Sequence, residues 1–227
     1  MQLSSMPGYD RWCEQRMWLS MGVDSQGTEP VCTLTGLAFI VIPWMHRPAE
    51  SPRLLKLFHM AMFMLGLGTL VFHMVPNLRL TSNVDVDAFD WNPITLVCIM
   101  LLYIYLEHWA GNGALFYCFA LALFGWAGFL TWTRGYLSGT VLNILLVMPL
   151  LACLAVHSVY LRKTEARAAV QHVWTMLLIS LVLWATNVLA CPRFHALAVL
   201  HAIYHFTITA GLWSAACLGV ELKKHLK

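Results

Sequence analysis

Long apolar runs alternate with short polar breaks along most of the chain, and the charged residues gather in the breaks. The runs fall at residues 31–45, 54–75, 93–109, 114–132, 139–161, 170–190 and 194–220. Most approach the ~20 residues that a helix needs to cross the hydrocarbon of a bilayer. The first is the shortest, and Pro43-Trp44 near its end suits an exit at headgroup level, where Trp is favoured. The breaks at 46–53, 111–113, 133–138, 162–169 and 191–193 are short, and only that at 76–92 is longer. No internal repeat or low-complexity tract interrupts the pattern. It predicts an all-α membrane protein, a bundle of seven transmembrane helices over residues 31–221. Residues 1–30 form an extramembrane segment ahead of it, and residues 222–227 a short tail.

Composition agrees with that class. The chain has 227 residues, of which 59% are hydrophobic and 11% charged. Soluble domains carry about 25% charged residues. A net charge of +3, scattered along the chain, gives no footprint for nucleic acid. The first 30 residues lack an apolar h-region, so no signal peptide is expected. Seven cysteines are an odd number, with no CxxC among them, and most read as small buried hydrophobes. Cys13 and Cys32 are a candidate bridge if their side of the membrane is oxidising.

The distribution of Lys and Arg orients the bundle. One side carries Arg11, Arg16, Arg79, Arg134 and Arg193. The other carries Arg47, Arg53, Lys56, Arg162, Lys163, Arg167, Lys223, Lys224 and Lys227, and is expected to be cytoplasmic. The N-terminus then faces the extracellular or lumenal side and the C-terminus the cytoplasm.

Imidazoles inside apolar runs add chemistry to this frame. His201 and His205 lie one turn apart on one helix face, about 6 Å from each other. His73 lies near the end of the second run. With the N-terminus outside, the second helix delivers His73 to the outer side, and the seventh starts there with His201 and His205. Ionisable groups at membrane depth are costly and face a partner, a cavity or an ion. Three imidazoles at one depth suit a tetrahedral zinc site with one open position. The plainer alternative is histidines that hydrogen-bond neighbouring helices.

Other residues cluster at the same level. Thr69 precedes His73 by one turn on the same face. Its hydroxyl could stabilise a developing oxyanion or bond its own i−4 carbonyl. Gly66 and Gly68 read as marks of close helix packing. Asp90, ahead of Pro93 in Asp90-Trp91-Asn92-Pro93, could cap a helix, act as general base toward a water, or do both. Asp85 and Asp87 read as solvated. Asp10, Trp12, Glu14 and Glu29 could supply hard oxygen ligands to calcium, or belong to an ordinary polar segment. His59, His108, His157, His172, His195 and Glu107 read as structural or interfacial.

These blocks together resemble the alkaline ceramidase family, part of a wider group of seven-span membrane hydrolases that includes adiponectin receptors. Gly66–His73 is similar to the family's G-x-G-[ST]-x-x-x-H, and the block around His201 and His205 to its H-x-x-[WY]-H. Arg11-Trp12-Cys13-Glu14-Gln15 and the stretch 28–39 resemble its W/Y-C-E and E-P-x-N-x-x-[ST]-N-x-A-F elements. Residues 89–94 resemble its aspartate before a proline at the third span. The matches run from residue 10 to residue 206. The resemblance implies a zinc ion on His73, His201 and His205, with Asp90 and Thr69 assisting. It implies calcium near Glu14, Glu29 and the Trp12 backbone carbonyl. The reaction implied is hydrolysis of the amide of a ceramide-like membrane lipid to a sphingoid base and a fatty acid. Departures stand at Cys32 and Gly36, where the family has asparagines, and at Arg16, where a further calcium ligand is expected. The interval from His73 to Asp90 is also longer than the family's, so Asp85 and Asp87 remain alternatives for the aspartate's role. A second reading is a seven-span receptor or lipid-binding protein with a structural metal. A transporter would need polar residues through the whole depth or paired broken helices. Charge is concentrated at one side here, although Pro149 interrupts the fifth run.

Overall fold

A computed structural model describes residues 14, 17, 21–22, 29–46, 52–74, 87–106, 125, 151–152, 154–159, 166–190 and 194–225. No strand occurs among the described residues. The helices are α1 (Pro30–Gly36), α2 (Ala38–Met45), α3 (Arg53–Met74), α4 (Asp87–Leu106), α5 (Arg167–Ala190) and α6 (Val199–His225). A short 3-10 turn, His195–Ala198, leads into α6. Pro30 opens α1, where its missing N–H costs nothing.

Among the described residues, three stretches are long and apolar enough to cross a membrane: Arg53–Met74, Arg167–Asn187 and Ala196–Glu221. Pro30–Met45 and Asn92–Leu106 are apolar but shorter. The expected spans at 114–132 and 139–161 lie almost wholly outside the described residues, although 151–152 and 154–159 are helical. Leu178, Leu181, Val182 and Leu189 on α5, and Met60 and Met64 on α3, are exposed. Water would not tolerate so continuous an apolar surface, whereas lipid solvates it. The protein is an all-helical membrane protein in that sense.

Two boundaries differ from expectation. The third apolar run was expected to become helical at 93, but α4 begins at Asp87. Asp87 and Asp90 both fall in its first turn, where the helix dipole favours acids, and Pro93 falls in the second. The last helix continues to His225, beyond the expected end at 221. Glu221-Leu222-Lys223-Lys224 are good helix formers and contain no stop signal.

One core joins the helices. Phe58 and Met62 of α3, Ile104 and Tyr105 of α4, Val173 of α5 and Trp213 of α6 are all buried in it. Tyr105 donates its hydroxyl proton to the Ala215 carbonyl at 2.8 Å, tying α4 to α6. α5 packs most extensively on α6, and α3 on α4. The buried polar residues of α5, Ser180 and Asn187, follow Val173 at intervals of seven, so all three point at one neighbour. The Ser180 and Thr207 hydroxyls meet across this seam at 2.9 Å. Gly66 lets α3 approach α2 closely, since a Cβ there would stand 2.5 Å from Ile40 Cγ1.

Candidate metal centre

The chain topology brings one end of α3, the start of α4 and the start of α6 together beside α1. His73 is the last-but-one residue of α3, and His201 and His205 occupy the first two turns of α6. Their ring centroids form a near-equilateral triangle: 5.5 Å for His73–His201, 5.4 Å for His73–His205 and 4.8 Å for His201–His205. One nitrogen from each ring lies within 4.8 Å of the other two. Tetrahedral zinc, with bonds of about 2.0–2.1 Å, holds nitrogens roughly 3.4 Å apart. Modest ring rotations close that difference, so the donor set suits the ion. His73 and His205 are buried and His201 is half-buried, which keeps bulk water from two of the three rings.

The groups behind the rings decide which nitrogen each presents. His73 Nδ1 lies 2.6 Å from Glu29 Oε2, and the Glu29 backbone N–H donates to the His73 carbonyl at 3.0 Å. A carboxylate only accepts, so Nδ1 carries the proton and Nε2 keeps its lone pair. His205 Nδ1 lies 3.0 Å from Thr35 Oγ1. The Thr35 hydroxyl gives its own proton to the Val31 carbonyl at 2.9 Å, so it accepts from His205. Nε2 is again the free nitrogen. His201 Nδ1 lies 3.4 Å from Asn187 Nδ2, an amide nitrogen that donates, so in this orientation Nδ1 accepts. Carboxylate or hydroxyl partners on the outer nitrogen are the usual support of metal-binding histidines.

Thr69 is fully buried, and its hydroxyl donates to Asp90 Oδ1 at 2.7 Å. Its single proton therefore points at the aspartate. Gly36 makes room for this pair: a Cβ at 36 would stand 3.0 Å from the Thr69 methyl. Asp90 sits in the first turn of α4 and is half-buried.

Two of the residues expected to hold calcium, Glu14 and Glu29, have partners within the chain. Glu14 accepts the Val31 and Cys32 backbone N–H groups at 2.7 and 2.9 Å, one on each carboxylate oxygen. It caps the start of α1, where a negative charge is also favoured by the dipole. Glu29 turns to His73 instead. Asp10 and Trp12 lie outside the described residues, as does Asp85, and the Asp87 side chain is not described. The candidate bridge to Cys13 is not made: Cys32 is a free, buried thiol on the first turn of α1. Its Sγ lies within 4.8 Å of ligand atoms of Glu29 and His73.

Among the described residues, His59, His157 and His172 stand apart from the triangle. The His59 ring packs on Trp213 at 5.9 Å and that of His157 on Tyr105 at 5.0 Å, while His172 is exposed. His108 and Glu107 lie outside the described residues, as does the His195 side chain. Sequence reasoning assigned no role to Thr35 or Asn187. For Thr35 the signal was its place at the [ST] of the resembled E-P-x-N-x-x-[ST]-N-x-A-F element, although a threonine bonding its own helix is commonplace. For Asn187 there was one: an amide in the apolar run 170–190 needs a partner. The chain matches no family model, and no curated protein matches it.

Proposed function

We propose that this protein is a zinc-dependent membrane hydrolase that cleaves the amide of a ceramide-like lipid, releasing a sphingoid base and a fatty acid. The observation that carries the reading is the triangle of three imidazoles, each with a polar partner on its outer side. His73, His201 and His205 hold the ion. When bound, zinc supplies Lewis acidity, which makes a water acidic near neutral pH and polarises a carbonyl. Asp90 accepts the proton of the attacking water and returns it to the leaving amine nitrogen. Thr69 donates to Asp90 Oδ1 and so orients the carboxylate. Glu29 and Thr35 hold their histidines in the tautomer that binds a cation.

The same reading places seven spans in the membrane, with an extracellular or lumenal N-terminus and a cytoplasmic C-terminus. The site then lies beneath the outer headgroups, within reach of a lipid that diffuses in from that leaflet. The amide selectivity rests on the resemblance to the ceramidases. Metal analysis of purified protein, beside ceramide turnover by wild type and His205→Ala, tests the proposal. Stoichiometric zinc and turnover, both lost in His205→Ala, are expected. Zinc without turnover, together with saturable lipid binding, would favour the receptor-like alternative. Metal-free protein with unchanged turnover would reject the zinc mechanism.

A further inference from the structure

Of the three rings, His201 has the partner whose direction matters most. The Glu29 carboxylate leaves His73 one choice of tautomer, and the Thr35 hydroxyl, while it donates to the Val31 carbonyl, leaves His205 one. An amide leaves two, because its oxygen end accepts and its nitrogen end donates. The structure has Nδ2 toward His201 Nδ1 at 3.4 Å; in that orientation Nδ1 must accept, the ring proton sits on Nε2, and the nitrogen facing the other rings has no lone pair to give. With Oδ1 toward His201, Nδ1–H donates and Nε2 is free. The far end of the amide, Oδ1, does not decide, since it has no hydrogen-bond partner among the described residues. His201 alone therefore sets which way the amide faces.

We infer that Asn187 is a positioning residue of the metal centre, one that turns over the amide seen with Nδ2 toward His201, presents its carbonyl oxygen to His201 Nδ1–H and thereby commits His201 Nε2 to the cation. The inference rests on the zinc reading above, and it adds a residue from α5, a helix that supplies no ligand. Three features support it. Asn187 is 8% exposed in the last turn of a membrane-length helix, where an amide is costly unless it has work. It shares the inward face of α5 with Ser180 and Val173, so the packing of α5 on α6 aims it at the start of α6. Its contact completes a set in which all three Nδ1 atoms have side-chain partners from separate segments: Glu29 ahead of α1, Thr35 in α1 and Asn187 in α5.

The test has two readouts on the full-length protein in detergent or nanodiscs. The first is the tautomer of His201 by nitrogen NMR with labelled histidine, in metal-free wild type, Asn187→Asp and Asn187→Leu. Wild type and Asn187→Asp are expected to hold the proton on Nδ1, and Asn187→Leu to lose that preference while His73 and His205 keep theirs. The second is zinc affinity by chelator competition. Asn187→Leu is expected to bind about 10–100-fold more weakly, and Asn187→Asp, which keeps an acceptor, within about threefold of wild type. A proton on Nε2 of His201 in wild type overturns the inference. So does wild-type zinc affinity in Asn187→Leu. If the leucine variant does not fold, the wild-type tautomer and the aspartate variant still decide. Wild type that binds no zinc defeats the metal reading, while the tautomer of His201 in that same sample still judges Asn187.

Discussion

Glu29 meets His73 twice, through its carboxylate and through its backbone N–H. The carboxylate makes the imidazole a stronger donor to a cation, and the backbone contact holds the end of α3 against the start of α1. Glu29→Gln keeps the shape and removes the charge. It is expected to lower zinc affinity about 10–100-fold, as loss of such outer partners does, with helix content unchanged. Chelator competition and circular dichroism on one sample check this, and an unaltered affinity would show that the carboxylate is idle. At this scale the sequence was half legible. His73, His201 and His205 stood out because imidazoles are rare in apolar runs, and helical spacing put two of them on one face. Glu29 stood out too, but its acidity suggested a hard cation. Only the fold brings it to His73, across 44 residues of chain. Thr69 was legible as a hydroxyl beside His73. That its proton belongs to Asp90 depends on how α4 starts, which residue spacing does not reveal.

The helices themselves were easier to read than their ends. Runs of apolar residues gave α3, α5 and α6 within a few positions, because burial in lipid or core tolerates no polar gap. The start of α4 was missed by six residues, since a proline looked like a first helical residue while acids upstream had already begun the helix. Contact between α2 and α3 turns on Gly66, where an added methyl would meet Ile40. Gly66→Ala is expected to destabilise the protein by about 1–3 kcal/mol, the usual cost of overpacking. Ile40→Ala in the same chain should recover part of the loss. Thermal unfolding of the solubilised single and double variants measures the coupling, and simple additivity would mean that the two helices do not meet there in solution.

For the whole molecule, the charge pattern and the apolar runs together carry the proposed arrangement in the bilayer. Seven crossings would put the two ends of the chain on opposite faces. A single cysteine introduced at Ser5 is expected to react with a membrane-impermeant maleimide on the extracellular or lumenal side. One at Lys227 is expected to react only from the cytoplasmic side. Labelling of both positions from the same side would require an even number of crossings and remove the basis for placing the site beneath the outer headgroups. What composition could not reveal is how the bundle is stitched across its length, since no local pattern links Thr35 to a histidine 170 residues later. That separation governs assembly. The nascent chain releases α3 well before α6, and two of the three ring donors of the proposed site arrive only with α6. In that proposal no trivalent grip exists until α6 has packed, so zinc would be captured by an assembled bundle and would not seed one.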